Sequence, residues 1–183
     1  MTNDSGSPPV IGIAGWKKSG KTTLAERLIA EFTARGLRVA SVKHAHHDFR
    51  IDDADTDSAR HRRAGATQVA IVSSRRWALV TELADAPEPD LGGVIAQLAP
   101  CDLVIVEGYK TAPISKIEAR RRAASSQETL ADKDPRVIAI AADHPVAANG
   151  LPAFQLDDIA GIADLIARAL CVRTVAPGTP AKG

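Results

Sequence analysis

Aromatic residues are scarce in this sequence, since Phe, Trp and Tyr make up only 3% of its 183 residues. The hydrophobic core is therefore expected to consist mainly of Ala, Val, Ile and Leu. Cysteine is also rare: only Cys101 and Cys171 occur, and they form neither a CxxC pair nor a zinc-ligand spacing. The lack of a disulfide framework indicates a reducing compartment, and we expect both cysteines to be buried free thiols.

Long apolar runs are missing as well. No stretch approaches the ~20 apolar residues that a membrane helix needs, and the polar residues 1–9 lack the apolar core of a signal peptide. The net charge of +1 indicates no general attraction to nucleic acid, while 45% hydrophobic and 25% charged residues are typical of a globular protein. These features predict a cytoplasmic protein without a membrane or nucleic-acid partner.

Short apolar runs alternate with helical patterns along the chain. Strands are predicted at residues 10–14, 37–42, 68–73, 77–81, 103–107 and 137–142, with a short edge strand at 116–118. Helices are predicted at residues 21–35, 91–98 and 159–170, and a short one that Asp57 or Ser58 caps and Gly65 ends. This order predicts one α/β domain, residues 10–171, whose mainly parallel sheet has helices on both faces. Residues 1–9 are assigned to a disordered N-terminus, and residues 172–183 to a flexible C-terminal tail.

A glycine-rich loop joins the first predicted strand to the first helix. Residues 15–22, which we call the phosphate loop, fit the P-loop pattern G-x-x-x-x-G-K-[ST] at every fixed position: Gly15, Trp16, Lys17, Lys18, Ser19, Gly20, Lys21 and Thr22. In such a loop, backbone N–H groups and the positive end of the helix surround phosphate oxygens. Lys21 is predicted to bridge the β- and γ-phosphates and Thr22 to ligate Mg²⁺, with Thr23 near the α-phosphate. The alternative is a Gly/Lys-rich turn without a ligand.

A second acidic group is needed to organise Mg²⁺ at a P-loop site. The apolar run at 103–106 leads into Glu107, which places this carboxylate at the carboxyl end of a strand, where ligands of parallel sheets gather. Asp102 precedes the same strand and would lie at the opposite edge. We therefore predict Glu107 as the metal residue, with a solvated glutamate at a strand end as the alternative.

Asp143 follows the predicted strand at 137–142, again at a carboxyl end. A carboxylate at this place could accept the N1 and N2 hydrogens of guanine, which adenine does not offer. The chain has no N-K-x-D motif, and a turn-forming aspartate before His144 and Pro145 is the alternative interpretation.

A histidine-rich segment, Lys43-His44-Ala45-His46-His47-Asp48, follows the second predicted strand. Its spacing matches no established metal site. Binding of an anion or of a pterin edge by Lys43 and His44 is one interpretation, because both side chains donate hydrogen bonds, and a solvated loop is the other.

Two basic runs, residues 60–63 and 120–122, could contact an acidic partner or a phosphorylated small molecule. Such charge runs are more often solvated surface. The acidic loop at 52–57 could add a water-mediated contact to Mg²⁺, but the sequence selects no single residue there.

The chain resembles the molybdopterin-guanine dinucleotide biosynthesis protein B family, the MobB-type P-loop proteins, over about residues 10–170. The resemblance rests on the phosphate loop with Thr23, on Val42-Lys43-His44-Ala45-His46-His47-Asp48-Phe49, on Asp57-Ser58 with Ala64-Gly65-Ala66, on Arg76-Trp77-Ala78-Leu79, on Val106-Glu107-Gly108-Tyr109-Lys110 and on Lys116-Ile117.

The resemblance implies GTP binding with slow hydrolysis, in support of the attachment of GMP to molybdopterin or its molybdenum form by a MobA-type nucleotidyltransferase. It also implies a homodimer whose sheets join across the interface. By matching position, Gly20, Lys21, Thr22 and Thr23 would bind phosphate and Mg²⁺, Glu107 would serve the metal, and Lys110 and Lys116 would lie near the site. The sequence identifies no glutamine or arginine that would position the attacking water, so we expect slow intrinsic turnover.

Three other functions remain open from the residues alone. The same scaffold could serve a small-molecule kinase or an ATP-dependent ligase, which would need a second substrate pocket. It could serve an adaptor that carries the nucleotide or the pterin without chemistry of its own. It could also serve a metal-insertion chaperone that uses His44, His46 and His47.

Overall fold

A computed structural model describes residues 7–45 and 56–173 of the chain. These residues form two compact units. The larger unit contains residues 7–44 and 91–173, and the smaller unit contains residues 45 and 56–90. In chain order the elements are β1 Val10–Ala14, α1 Lys21–Ala34, β2 Val39–Lys43, α2 Asp57–Arg63, β3 Gln68–Val72, β4 Trp77–Thr81, α3 Leu91–Ile95, β5 Leu103–Glu107, β6 Lys116–Arg120, β7 Val137–Ala142, β8 Ala153–Gln155 and α4 Ile159–Ala169.

The larger unit is built on a six-stranded sheet with the order β2-β5-β1-β6-β7-β8. Every neighbouring pair is parallel, so all six strands end at the same edge. The strands β1, β5 and β7 are almost fully buried, which explains their nearly continuous apolar sequences.

Apolar side chains cover this sheet on both faces. One face packs against α1 and α4, where Leu28, Phe32 and Ile162 are completely buried. The other face carries Val42, Val104 and Val106 and packs against the residues of α3 and the turn after it. The predicted α/β fold, with a mainly parallel sheet between helices, is therefore confirmed.

The helix α1 shows how the sequence fixes the beginning and end of an element. Gly20 precedes it in a left-handed conformation (φ 91°), and Gly36 follows it with φ 85°, a conformation that glycine adopts without strain. Leu24, Leu28 and Phe32 recur at a spacing of four residues and lie on its buried face. This helix places its positive end directly after the phosphate loop.

The smaller unit consists of α2 and an antiparallel hairpin of β3 and β4, in which Val72 pairs with Trp77. The predicted hairpin is confirmed. The cap of α2 differs from the prediction, because Thr56 rather than Asp57 or Ser58 precedes the helix and accepts a hydrogen bond from the Ala59 N–H at 3.3 Å.

Two strands of the larger sheet differ from the prediction. The predicted edge strand at 116–118 extends to Arg120 and lies in the interior, between β1 and β7, while β8 occupies the edge and was not predicted. The polar residues Lys116 and Glu118 led to the prediction of an edge strand. Both are buried in the structure, by partners that are distant in sequence. The strand β8 is only three residues long, too short for a recognisable pattern.

The cysteines also differ from the prediction, since Cys101 is half-buried and Cys171 is exposed. Cys171 follows the last turn of α4 and has a positive φ of 52°. Both are free thiols, as predicted. Among the described residues, no helix has the length and apolar character needed to span a membrane.

Candidate nucleotide site

The phosphate loop lies at the carboxyl edge of the sheet, between the end of β1 and the start of α1. Because β5 and β6 flank β1 in parallel, their ends lie beside the loop, with Glu107 opposite Ile13 and Glu118 opposite Ala14. This topology brings together groups that are far apart in sequence, with the β5 groups on one side of the loop and the β6 groups on the other.

Gly15 begins the loop at a point where no side chain fits. Its φ of 149° is a conformation that residues with a side chain rarely adopt. A Cβ atom at this position would clash with the Ser19 Oγ and would lie 2.5 Å from the carbonyl oxygen of Ala119. The glycine therefore permits a backbone approach that any larger residue would block.

Ser19 lies at the base of the loop, is 1% exposed, and its Oγ has no hydrogen-bond partner among the described residues. A buried hydroxyl without a partner is uncommon in folded proteins. Lys17 and Lys18 are exposed in the same loop, and Lys18 has a left-handed φ of 64°. The loop thus has a buried glycine-serine base and an exposed basic rim.

The Lys21 ammonium group donates a hydrogen bond to the Trp16 carbonyl at 2.7 Å and so closes the phosphate loop on itself. Burial lowers the pKa of Lys21, and the nearby positive charges of Lys110 and Lys43 lower it further, while the carboxylate of Glu107 acts in the opposite direction. An anion at this place would relieve the repulsion between these cations.

The Thr22 hydroxyl donates a 2.6 Å hydrogen bond to Glu107 Oε1 across a separation of 85 residues. Lys43 Nζ lies 3.5 Å from Glu107 Oε2, and Glu107 itself is only 15% exposed in its side chain. A hydroxyl and a carboxylate in contact form an oxygen donor pair suited to Mg²⁺. The described residues contain no cluster of three or more His, Cys, Asp or Glu that could hold a metal ion alone.

Trp16 connects the phosphate loop to two other parts of the larger unit. Its ring lies under the Lys110 ammonium group at 3.7 Å from the ring centre, a cation–π contact. Its indole N–H donates a 2.7 Å hydrogen bond to the Glu128 carbonyl. The Ser125 N–H donates to the Lys17 carbonyl at 2.9 Å, so residues 121–134, which we call the covering segment, lie against the loop.

His44 lies beside the end of β5. Its backbone N–H donates to the Glu107 carbonyl at 2.9 Å, and its ring lies 4.6 Å from the ring of Tyr109. A Cβ atom on Gly108 would approach the His44 Cβ to 3.0 Å, which explains the glycine after Glu107. His46, His47 and Asp48 lie outside the described residues.

Asp143 lies at the carboxyl end of β7, as predicted, and lines a cleft of about 340 Å³. Its Oδ1 atom lies 2.7 Å from His144 Nδ1 and accepts a 3.1 Å hydrogen bond from the Arg122 N–H. The hydrogen bond with His144, the Arg122 N–H and the charge of Arg121 lower the pKa of Asp143. The other residues that line the cleft are Thr23, Leu24, Arg27, Arg121, Gln155, Leu156 and Asp157.

Lys116 directs its hydrogen bonds to groups outside the phosphate loop. Its ammonium group is 1% exposed and donates to Asp134 Oδ2 at 2.7 Å, to the Ala112 carbonyl at 2.6 Å and to the Ile114 carbonyl at 3.2 Å. These three acceptors satisfy all three ammonium protons. Lys116 therefore joins three segments of the larger unit through its ammonium group.

Glu118 was not predicted and holds the covering segment in place. It is 1% exposed, pairs with Arg120 at 2.8 Å, and accepts hydrogen bonds from the Leu130 and Ala131 N–H groups at 2.9 Å each. The sequence signal for this role was the position of Glu118 inside a predicted strand. A carboxylate that is buried there needs hydrogen-bond or charged partners.

Residues 10–143 match the model of the family described as molybdopterin guanine dinucleotide synthesis protein B. The chain belongs to this family, MobB. The family resemblance inferred from the motifs is thereby confirmed.

Relatives of this MobB-family chain extend over most of its length. It is 38% identical, over 86% of its own residues and 91% of the relative, to the molybdopterin-guanine dinucleotide biosynthesis adapter protein of Escherichia coli (strain K12). It is also 38% identical to the protein of the same name from Haemophilus influenzae, over 86% of this chain and 87% of that one.

Solved structures of the family share the fold. A crystal structure of molybdopterin-guanine biosynthesis protein B is 29% identical, with a TM-score of 0.68, and covers 88% of this chain and 99% of its own. The MobB homologue from Bacillus stearothermophilus is 28% identical, with a TM-score of 0.66, and covers 90% and 99%.

Proposed function

We propose that this MobB-family chain binds GTP with Mg²⁺ at the phosphate loop, hydrolyses it slowly, and assists a MobA-type nucleotidyltransferase in attaching GMP to molybdopterin. One observation carries the proposal: the phosphate loop lies at the start of α1 with Thr22 Oγ1 2.6 Å from Glu107. The adapter function in the names of the 38% identical relatives supports the pathway.

The residues present fit a nucleotide triphosphate with its metal. Gly15 lets the backbone approach the Ala119 carbonyl, where a Cβ atom would clash, and the buried Ser19 hydroxyl has no partner among the described residues. Thr22 and Glu107 would hold Mg²⁺, which, when bound, neutralises charge on the phosphate oxygens. A pair of protein oxygens suits this ion, because Mg²⁺ bound with a nucleotide takes its other ligands from phosphates and water.

The chain's own residues would act mainly by position and charge. The backbone N–H groups of the loop and the positive end of α1 would orient the phosphates. The Lys21 ammonium would exchange its hydrogen bond with the Trp16 carbonyl for phosphate oxygens and stabilise charge that develops during phosphoryl transfer. Lys43 and Lys110 add positive charge around Lys21 and favour an anionic ligand.

The cleft beside Thr23 supports a place for the nucleoside. It extends from the start of α1 to the ends of β7 and β8, and its volume of about 340 Å³ lies within the usual range for small-molecule sites. Asp143 is proposed to accept the guanine N–H groups there. The Arg122 N–H and His144 orient its carboxylate.

A carrier without chemistry of its own is the second candidate function, favoured by the word adapter in the names of the relatives. Release of phosphate over many turnovers with GTP alone would exclude a purely passive carrier. A small-molecule kinase or ligase remains the third candidate, and its turnover would follow the concentration of an acceptor.

The proposal predicts that GTP binds more tightly than ATP, each with Mg²⁺, and that a molybdopterin-loaded MobA-type partner strengthens the preference. Titration calorimetry with and without that partner measures both. Replacement of Asp143 by asparagine is expected to reduce the preference for GTP while ATP binding stays unchanged. Indifference to the base and to the partner would contradict the guanine assignment and favour a kinase or ligase.

The chain is also proposed to form a homodimer, because one face of the β3–β4 hairpin is apolar and exposed. Val72 is 75% exposed, Trp77 70% and Leu79 49%, and the pairing of the two strands places all three on the same face. A two-stranded sheet is marginal alone, and an exposed apolar patch on it marks an interface.

Replacement of Trp77 by glutamate is expected to shift the chain from dimer to monomer, since it buries a charge in the proposed interface. Sedimentation velocity at several protein concentrations measures the change. Arg75→Ala, in the exposed turn of the same hairpin, is the control and should leave the dimer intact. A wild-type chain that sediments as a monomer, or a dimeric Trp77→Glu variant, would contradict the proposal.

A further inference from the structure

The basic run after β6 separates into three arginines with different surroundings. Arg120 pairs with the buried Glu118 at 2.8 Å, which assigns it to the support of the covering segment. Arg122 is exposed, and its backbone N–H rather than its guanidinium bonds to Asp143. Arg121 places its guanidinium group against the phosphate loop.

Arg121 lies against Gly20, the residue directly before α1. A Cβ atom on Gly20 would lie 2.8 Å from Arg121 Nε and 3.1 Å from its Cζ, so the guanidinium group touches the loop at its last glycine. Arg121 also lines both the small pocket beside Trp16 and Ser19 and the larger cleft beside Thr23.

The electrostatic surroundings of Arg121 combine the positive end of α1 with the carboxylate of Asp143, whose pKa its charge lowers. The first turn of α1 contains no acidic residue, so the cation lies beside the positive end of a helix. Arg121 is half-buried and lines the same cleft as Asp143. An anion placed between Arg121 and α1 would satisfy both positive groups at once.

The backbone holds Arg121 at this place. Its carbonyl accepts hydrogen bonds from the Ala124 N–H at 3.0 Å and from Gln127 Nε2 at 3.2 Å. The covering segment that follows is anchored by Glu118 and contacts Trp16 through the Glu128 carbonyl. The backbone that carries Arg121 is thus ordered before a ligand arrives, which reduces the ordering cost of binding.

We propose that Arg121 binds the phosphate chain of the nucleotide at its α-phosphate side, opposite the Mg²⁺ residues. The sheet order places β5, with Glu107, on one side of β1 and β6, with Arg121, on the other. The cleft shared with Thr23 places Arg121 toward the nucleoside end, and its planar fork suits two oxygens of one phosphate. This inference rests on the proposed nucleotide binding and adds a residue to it.

The test is the affinity of GTP and of GDP, each with Mg²⁺, for wild type, Arg121→Gln and Arg121→Lys, measured by titration calorimetry. Since both nucleotides carry the α-phosphate, Arg121→Gln is expected to weaken both by the same factor, roughly 10- to 100-fold for a lost charged hydrogen bond. Arg121→Lys should recover part of the loss, because it keeps the charge and loses the fork.

Arg168→Gln is the matched control, since it removes an exposed positive charge from the last turn of α4 and should change both affinities less than twofold. Equal thermal stability of the variants excludes a folding defect. Unchanged binding by Arg121→Gln, or a loss confined to GTP, would overturn the α-phosphate assignment while the proposed nucleotide site stands. A wild-type chain that binds neither GTP nor ATP would overturn both the nucleotide site and the role of Arg121. If the wild-type chain prefers ATP, the effect of Arg121→Gln is measured on ATP and ADP instead.

Discussion

Replacing Lys21 with alanine is expected to weaken the binding of GTP·Mg²⁺ about 100-fold or more, because at least two charged hydrogen bonds of about 1.5 kcal/mol each are lost. The Lys21 ammonium is half-buried in the phosphate loop, where its hydrogen bond to the Trp16 carbonyl is available for exchange with phosphate oxygens. Titration calorimetry measures the loss, and Lys21→Met separates the charge from the volume of the side chain.

The control for Lys21→Ala is Arg168→Ala, which removes an exposed positive charge from the last turn of α4. It should leave the affinity within twofold of wild type, since a remote surface charge is screened by salt. The fold should tolerate both changes, because neither removes a buried apolar group. Binding of GTP by Lys21→Ala within twofold of wild type would show that the ammonium does not contact the phosphates.

The phosphate loop could be predicted because its information is local. Eight consecutive residues carry the motif, and the apolar run before it and the helical pattern after it fix the direction of the chain. Glu107 followed from a second local rule, since the strand before it sets which edge of a parallel sheet it reaches. The contact between Thr22 and Glu107, 85 residues apart, agrees with both rules.

The region around β6 could not be predicted in the same way. Lys116 and Glu118 give this strand a polar pattern that is typical of an edge, whereas the structure buries both. Their partners are Asp134 and the N–H groups of residues 130 and 131, and no periodicity of the strand reveals them. The same limit applied to Arg121, which has the same type of side chain as its two neighbours and is distinguished only by its contact with Gly20.

Removal of the Asp134 carboxylate is expected to destabilise the fold by about 3 kcal/mol or more, the usual cost of breaking a buried ion pair. The Lys116 side chain is 1% exposed, and its ammonium group forms an ion pair with Asp134 at 2.7 Å. Thermal unfolding of Asp134→Ala should lie roughly 6–12 °C below wild type for a chain of this size. Asp164→Ala, which breaks an exposed pair with Arg35, is the control and should cost about 1 kcal/mol or less.

Acid should reduce this difference between wild type and Asp134→Ala. The hydrogen bond from Lys116 holds the pKa of Asp134 below its usual value. A depressed carboxylate pKa contributes stability that is fully present above the unfolded-state pKa of about 3.9 and is lost as the pH falls through the folded-state value. Urea unfolding at pH 7 should therefore show the full difference in the free energy of unfolding, and unfolding near pH 3 a smaller one.

A double variant tests whether the buried charge itself causes the loss. Lys116→Met together with Asp134→Ala removes both charges and keeps an apolar chain in the space of the lysine, so it should be more stable than Asp134→Ala alone.

Because Asp134 ends the covering segment, Asp134→Ala should also speed amide hydrogen exchange at residues 121–134, which contact Trp16 and Lys17. Equal stability of Asp134→Ala and wild type would show instead that the Lys116 ammonium reaches solvent or loses its proton when the carboxylate is gone.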